Sequence, residues 1–299
     1  MDAETTDTHD LPRAAAFMVT SALLFAGMGL LVKVAAAASL PNTVIVFARN
    51  AFGLLALTPW LVRMGPRGLR TAAGREHAVR GLAGLAAMYC FFYAIAHLRL
   101  AEAVLLNYSL PLFTPVIASL WLQEKVPTTL WRALAVGFVG LVIILRPGIG
   151  LFRPAALVGL AAAVLCAVAQ VGVRRLTRTE PIIRIVFYFA LISTVVSGLP
   201  LIAARTTPAP ALWPVLIALG ILATLGQIFL TRAYAHAPAA QVGPFIYTTV
   251  VFAGLLDWLV FGRRALPDAA FVVGAVLVCA AGILALRSTR SATTAPPAI

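Results

Sequence analysis

Four long apolar runs of this 299-residue chain carry polar side chains at helical spacing, and the chemistry they offer is hydrogen bonding along a buried path. Tyr89, Tyr93 and His97 follow an i, i+4, i+8 stripe, while Asn107, Tyr108, Pro111, Thr114 and Pro115 lie close to one helix face. Thr224, Gln227, Thr231 and Tyr234 recur at i, i+3, i+7, i+10, and Gln241, Pro244, Tyr247 and Thr248 follow in the next run. A polar group facing hydrocarbon is costly, so these should point to the protein interior or to a water-filled path. The alternative is that Tyr and Thr satisfy one another between helices or sit in interfacial belts. His97 and His236 fall at helix ends and read as interfacial hydrogen-bonding groups rather than proton carriers. Pro111, Pro115 and Pro244 remove backbone bonds inside their helices, which frees carbonyls for kinking or gating.

The charged residues inside the runs are few. Arg49 lies about five residues into an apolar run with no acid nearby in sequence, and Lys33 lies near the outer end of another. Both fit snorkelling to the outer interface; alternatively they are the basic residues of an outer mouth, which favours a carboxylate-bearing solute. Glu102 and Asp257 are the acids closest to span depth, each expected near the external side, and they are the two candidates for proton coupling. A buried proton relay is not evident, which fits facilitated diffusion or weakly coupled export better than obligatory proton antiport. No Gly-x-Ser-Gly, His-Glu-x-x-His or paired-Asp pattern occurs, so no catalytic residue is assigned. Cys90, Cys166 and Cys279 lie in apolar runs without metal or disulfide spacing, so neither a metal nor a cofactor is expected. A filter-like re-entrant segment is also missing, which weighs against a channel.

The elements that must position these groups follow from composition. With 62% hydrophobic residues, 11% charged and a mean hydropathy of +0.98, the chain lies far from a soluble domain, which carries roughly 25% charged residues. About 20 apolar residues cross a bilayer, and ten such runs occur: 14–36, 44–62, 79–97, 101–122, 131–145, 154–173, 182–203, 211–235, 239–261 and 269–286. The net charge of +13 is not a nucleic-acid patch, because the cations alternate by side. Fifteen Lys and Arg fall on one side and six on the other, with Lys33 and Arg49 inside runs, which puts both termini in the cytoplasm. The first run is too long, and its leader too acidic, for a cleaved signal peptide.

The chain also repeats itself. Ala94-Ile95-Ala96-His97 recurs as Ala233-Tyr234-Ala235-His236, and at the same offset Ala101 matches Ala240, Tyr108 Tyr247, Phe113 Phe252 and Leu120 Leu259. Five runs per half is an odd number, so the second copy must enter the membrane with opposite polarity. The expected organisation is a cytoplasmic tail 1–13, a first five-helix repeat 14–145, an external linker 146–153, a second repeat 154–286 and a cytoplasmic tail 287–299. The fold class is an all-α membrane protein of ten transmembrane helices arranged as two inverted five-helix repeats.

Phe47-Ala48-Arg49-Asn50, Ala101-Glu102-Ala103, Pro111-Leu112-Phe113, Glu124-Lys125 and Gly137-Phe138-Val139-Gly140-Leu141 with Arg146-Pro147 together resemble the EamA type of the drug/metabolite transporter superfamily. Gly262-Arg263-Arg264 departs from it where many members carry an acid. The resemblance implies a central cavity lined by the polar stripes, namely Tyr89, Tyr93, Asn107, Tyr108, Pro111, Gln227, Thr231, Tyr234, Tyr247 and Thr248, in a multi-pass protein of the bacterial cytoplasmic membrane. An aromatic, mostly uncharged cavity suits zwitterionic or apolar solutes, so the expected substrate is a small molecule, best an amino acid as in the (aromatic) amino-acid exporters. A proton-coupled drug carrier and a nucleotide-sugar or phosphometabolite carrier are the alternatives, the latter requiring a strongly cationic cavity. The expected partners are the solute and the lipid bilayer, with no nucleic acid; a monomer suffices, and the sequence leaves the oligomeric state open.

Overall fold

The computed structural model describes residues 10–98, 100–124, 126–147, 154–203, 207–262 and 268–293, and all regular structure among them is helical. Runs this apolar must satisfy their backbone groups internally, and a helix does so without a partner strand. Arg99, Lys125, Arg153, Arg205, Arg263 and Arg264, most of the linker and the side chain of Ala101 lie outside the described residues.

The elements are α1 (Leu11–Ala37), α2 (Asn42–Ala56), α3 (Thr58–Gly68), α4 (Gly74–His97), α5 (Leu100–Asn107), α6 (Leu110–Leu122), α7 (Thr128–Leu145), α8 (Pro154–Leu176), α9 (Ile182–Ala203), α10 (Trp213–His236), α11 (Ala239–Val242), α12 (Thr248–Phe261) and α13 (Ala269–Thr293). Eight of the described spans are long and apolar enough to cross a membrane, or nine if α2 and α3 form one span. Those two bend by 43° at their junction, so the run expected at 44–62 is a broken helix rather than a straight one. α4, at 24 residues, is a further long helix.

Two spans are interrupted in their interior. α5 and α6 are separated at Tyr108 and Ser109, and a 3-10 segment, Gly243–Tyr247, separates α11 from α12. Pro111 and Pro244 sit at these breaks, where each denies the helix one N–H donor. The repeat-matched residues Tyr108 and Tyr247 also stand at them.

Other matched residues share their surroundings as well. His97 ends α4 and His236 ends α10; each Nδ1 meets the carbonyl four residues earlier, Tyr93 O at 2.9 Å and Arg232 O at 2.8 Å. Leu98 and Ala237, which follow, are both extended. Ala94 and Ala233 are both fully buried, whereas Leu120 and Leu259 are both exposed, as lipid-facing leucines are in a spanning helix.

The packing pairs α1 with α10, α4 with α8, α2 with α9 and α10, α4 with α9, α1 with α12, α6 with α8, and α7 with α13. Exchanging the two halves keeps this set: α1 on α10 becomes α8 on α4, α1 on α12 becomes α8 on α6, α2 on α10 becomes α9 on α4, and α2 on α9 and α7 on α13 map onto themselves. Small residues carry the interfaces, with Ala14, Ala163, Ala167, Ala233 and Ala237 at the main core, because helices in lipid associate by close packing rather than by hydrophobic exclusion. The start of α1 and the later part of α13 lie at one end, where Asp10 N donates to His236 O at 3.1 Å and Leu11 shares a core with Ala285.

Candidate substrate cavity

α2 and α10 approach until backbone meets backbone, and that contact builds the site. A Cβ on Gly220 would stand 2.8 Å from Gly53 N, and one on Gly53 would stand 2.5 Å from Thr224 Oγ1. With nothing but hydrogen at both positions, Arg49 and Asn50, one turn back along α2, come beside Thr224 and Gln227 on α10.

These residues line a small cavity, with Gly53, Val186, Phe189, Ala190 and Ala223 completing its wall. Arg49 Nη1 donates to Asn50 Oδ1 at 3.0 Å and its Nε to Met28 Sδ at 3.4 Å; Asn50 Nδ2 donates in turn to Ser197 Oγ at 3.4 Å. The asparagine is thereby held with its oxygen toward the guanidinium. Behind Gln227, Arg80 Nη2 donates to its Oε1 at 2.9 Å, and the Arg80 guanidinium lies 3.7 Å from the centre of the Phe189 ring. Arg80 is only 5% exposed and its Nε has no partner. Ion pairs among the described residues engage Lys33, His77, Arg146, Arg174, Arg175, Arg178 and Arg184; neither Arg49 nor Arg80 takes part. Among the described residues, then, one cation at the cavity and a second behind Gln227 take part in no ion pair with a carboxylate, and an uncompensated buried charge is expensive.

Of the expected cavity residues, Gln227 reaches this site. Tyr89 and Tyr93 are 38% and 46% exposed on α4, with Tyr93 stacked on His97 at 4.0 Å between centroids. The others gather around the two helix breaks. Tyr234 is fully buried and its hydroxyl donates to Gln170 Oε1; Gln170 Nε2 in turn faces Cys166 Sγ at 3.7 Å. Tyr108 bonds to Thr249 through their side chains, and Tyr247 is buried with an unpartnered hydroxyl. Pro111 packs on Gly243, and Asn107 closes α5 half-buried. Thr231 and Thr248 spend their hydroxyls on carbonyls of their own helices, Gln227 O at 2.7 Å and Phe245 O at 2.6 Å.

The charged residues differ most from expectation. Arg49, expected at an outer mouth, lines the cavity. Lys33 does not stand alone: its Nζ lies 2.8 Å from Asp257 Oδ2. Glu102, expected in bulk-like surroundings near the external side, is 1% exposed. Arg80 and Arg174 read as loop cations in sequence, yet both are buried; Arg80 lies one residue inside the run drawn at 79–97, which is the signal that marks it. An uncharged cavity is thus replaced by one lined by the Arg49 guanidinium, with the Arg80 guanidinium behind Gln227.

At the end where α1 begins, a second charged cluster ties four elements together. Arg174 Nε donates to Glu124 Oε1 at 3.1 Å and Arg174 Nη1 to Tyr234 O at 2.9 Å, while Ala239 N donates to Glu124 Oε2 at 3.1 Å. The two side chains are 6% and 9% exposed. α6, α8, α10 and α11 are fastened at one point.

Comparison with known proteins agrees with this architecture. The model of the EamA-like transporter family matches residues 12–146 and again 153–287. The pseudopaline exporter of Pseudomonas aeruginosa (strain UCBPP-PA14) is 35% identical over 275 residues, 91% of this chain and 95% of the relative. The riboflavin transporter of Brucella anthropi is 31% identical, covering 83% and 89%, and the S-adenosylmethionine uptake transporter of Rickettsia felis 28%, covering 83% and 84%. A crystal structure of a protein superposes with a TM-score of 0.80 over 93% of this chain and 98% of that chain, at 22% identity, which speaks for the fold alone. The chain is similar in sequence to carriers of chemically unlike metabolites, and it belongs to the EamA-like transporter family, a family of multi-pass membrane proteins.

Proposed function

We propose that the protein moves a carboxylate-bearing small metabolite, best an amino acid, across the bacterial cytoplasmic membrane by alternating access, and that export is its direction. The observation that carries this is the cavity between α2, α9 and α10, where Arg49, Asn50, Thr224 and Gln227 converge with no acid among the described lining residues. A guanidinium beside amide and hydroxyl donors pairs with a carboxylate in planar geometry. The exporter among the relatives supports the direction.

The mechanism rests on two inverted five-helix halves crossing the membrane ten times, with α4, and α2 joined to α3, as spans and both termini cytoplasmic. Support comes from the packing set that exchange of the halves leaves unchanged, and from the matched surroundings of His97 and His236. The cavity has room for about one water, so a metabolite enters only when the halves part. On this reading the Glu124–Arg174 cluster closes the cytoplasmic side and the Lys33–Asp257 pair stands at the external side. Tyr108, Pro111, Tyr234 and Tyr247 then surround the two breaks about which each half bends, while Asn107, Thr231 and Thr248 back them; Tyr89 and Tyr93 face outward and contribute least. Impermeant reagents should label a cysteine near Pro208, and none near Arg70, in intact cells; labelling at Arg70 sinks the orientation.

The experiment is flux in proteoliposomes against a panel of amino acids and their decarboxylated amines. At least one amino acid should move and its amine should not. Equal movement of the amine, or no movement of any amino acid, sinks the reading.

A further inference from the structure

The second guanidinium at the cavity narrows the substrate class, on the reading that this cavity is the substrate site. A zwitterionic amino acid brings one carboxylate, which pairs with Arg49, and one ammonium, which two nearby cations repel. Arg80 is left over. It is nearly fully buried, its Nε is unpartnered, and among the described residues it keeps one acceptor, Gln227 Oε1, and the face of Phe189. Gly84 and Gly172 leave it room: a Cβ on Gly84 would come 2.9 Å from Arg80 Nη1, and one on Gly172 3.4 Å from Arg80 Cβ. A cation so placed, with neither an ion pair nor a water-exposed head, is set to receive an anion from outside the protein. The amide oxygen of Gln227 occupies the position that a carboxylate oxygen would take, and Gln227 itself lines the cavity. Rotation of that one side chain opens the Arg80 donor to a bound solute.

We propose that the transported solute carries two carboxylates, one received by Arg49 and the other by Arg80 in place of Gln227. The substrate class is an acidic amino acid or a dicarboxylate built like one, and its monoamide is a poor substitute.

Counterflow in proteoliposomes of the full-length protein tests this with glutamate, glutamine and phosphoserine as probes. Glutamate should exchange about tenfold or more faster than glutamine, since a hydrogen bond from a charged group to its partner is at stake. Arg80→Gln should bring the ratio of glutamate to glutamine exchange down to about one, whereas Arg80→Lys, which keeps the charge, should retain a preference for glutamate. Equal or faster exchange of glutamine by the unaltered protein overturns the inference while leaving an amino-acid carrier standing. Exchange of phosphoserine without glutamate overturns the carboxylate assignment. Exchange of none of the three overturns this inference; movement of another amino acid of the panel then leaves the carrier reading standing, and movement of none overturns both.

Discussion

Lys33 and Asp257, 224 positions apart in sequence, meet at 2.8 Å between α1 and α12, and the ammonium also lies 4.6 Å from the centre of the Phe261 ring. The pair joins the two halves at the end opposite the termini. Its side chains are 53% and 36% exposed, and ion pairs so wetted contribute about 0–1 kcal/mol. Asp257 is thus a partly exposed acid with a cationic partner from the other half.

Asp257→Asn is therefore expected to leave solute-driven flux within about twofold of the unaltered protein, since at most a weak external contact is lost. Flux measured with and without an imposed pH difference checks this. Loss of proton-driven uphill transport in the variant contradicts it and makes Asp257 a coupling site. Glu102, buried at 1% exposure, is the acid for which Glu102→Gln is informative.

The Glu124–Arg174 cluster behaves differently because it is dry. Glu124→Ala strands Arg174 between α8 and α10, and removing one partner of a buried pair costs about 3–5 kcal/mol. The detergent-purified variant should melt well below the unaltered protein, and adding Arg174→Ala should recover part of the loss. A melting temperature unchanged by Glu124→Ala refutes the fastening role.

Gly220→Ala places a methyl against Gly53 N and Phe52. Overpacking of this kind costs about 1–3 kcal/mol and pushes α2 from α10, so Arg49 and Gln227 separate. The expected result is a lower melting temperature together with reduced flux. Normal flux from this variant contradicts the placement of the cavity at that contact.

Outside the apolar run 79–97, burial holds the His77 imidazole below its ordinary value of 6.5, and its ring lies tilted against that of Tyr188 with 4.5 Å between centroids. Burial pushes the Glu180 carboxyl up, but hydrogen bonds from Thr71 at 2.5 Å and Arg184 at 2.5 Å together outweigh it and hold it below its ordinary value of 4.5. Both groups bind protons more readily when unfolded. Stability should therefore fall as pH drops below 6.5, from His77, and fall further below 4.5, from Glu180. Melting curves across that range check the sign, and a His77→Phe variant should lose the upper part of the dependence. A rise in stability between pH 7 and 5.5 contradicts it.

The helices were legible because hydropathy alone dictates them, and the matched His97 and His236 marked the repeat. The site was less so. A polar stripe defines a helix face but not its neighbour: Tyr89 and Tyr93 share a face that turns outward, while Gln227 finds Arg49 only because Gly53 and Gly220 let two helices touch. Arg80 was hidden among loop cations by lying at the edge of its run, and the pairing of Lys33 with Asp257 spans a separation that local spacing does not encode. What composition could not give was charge inside the bundle, with Arg49 at the cavity and Arg80 behind Gln227, and the proposed acidic solute rests on that charge.

The most direct test of transport through this cavity is the accessibility of one cysteine placed in its wall, Ala223→Cys, with Cys90, Cys166 and Cys279 replaced by alanine and transport verified. Impermeant thiol reagent is applied from either side of sealed, oriented vesicles, with and without transported solute. Alternating access predicts labelling from both sides and protection by the solute in each case. Labelling confined to one side under every condition, or unaffected by any transported solute, contradicts the account.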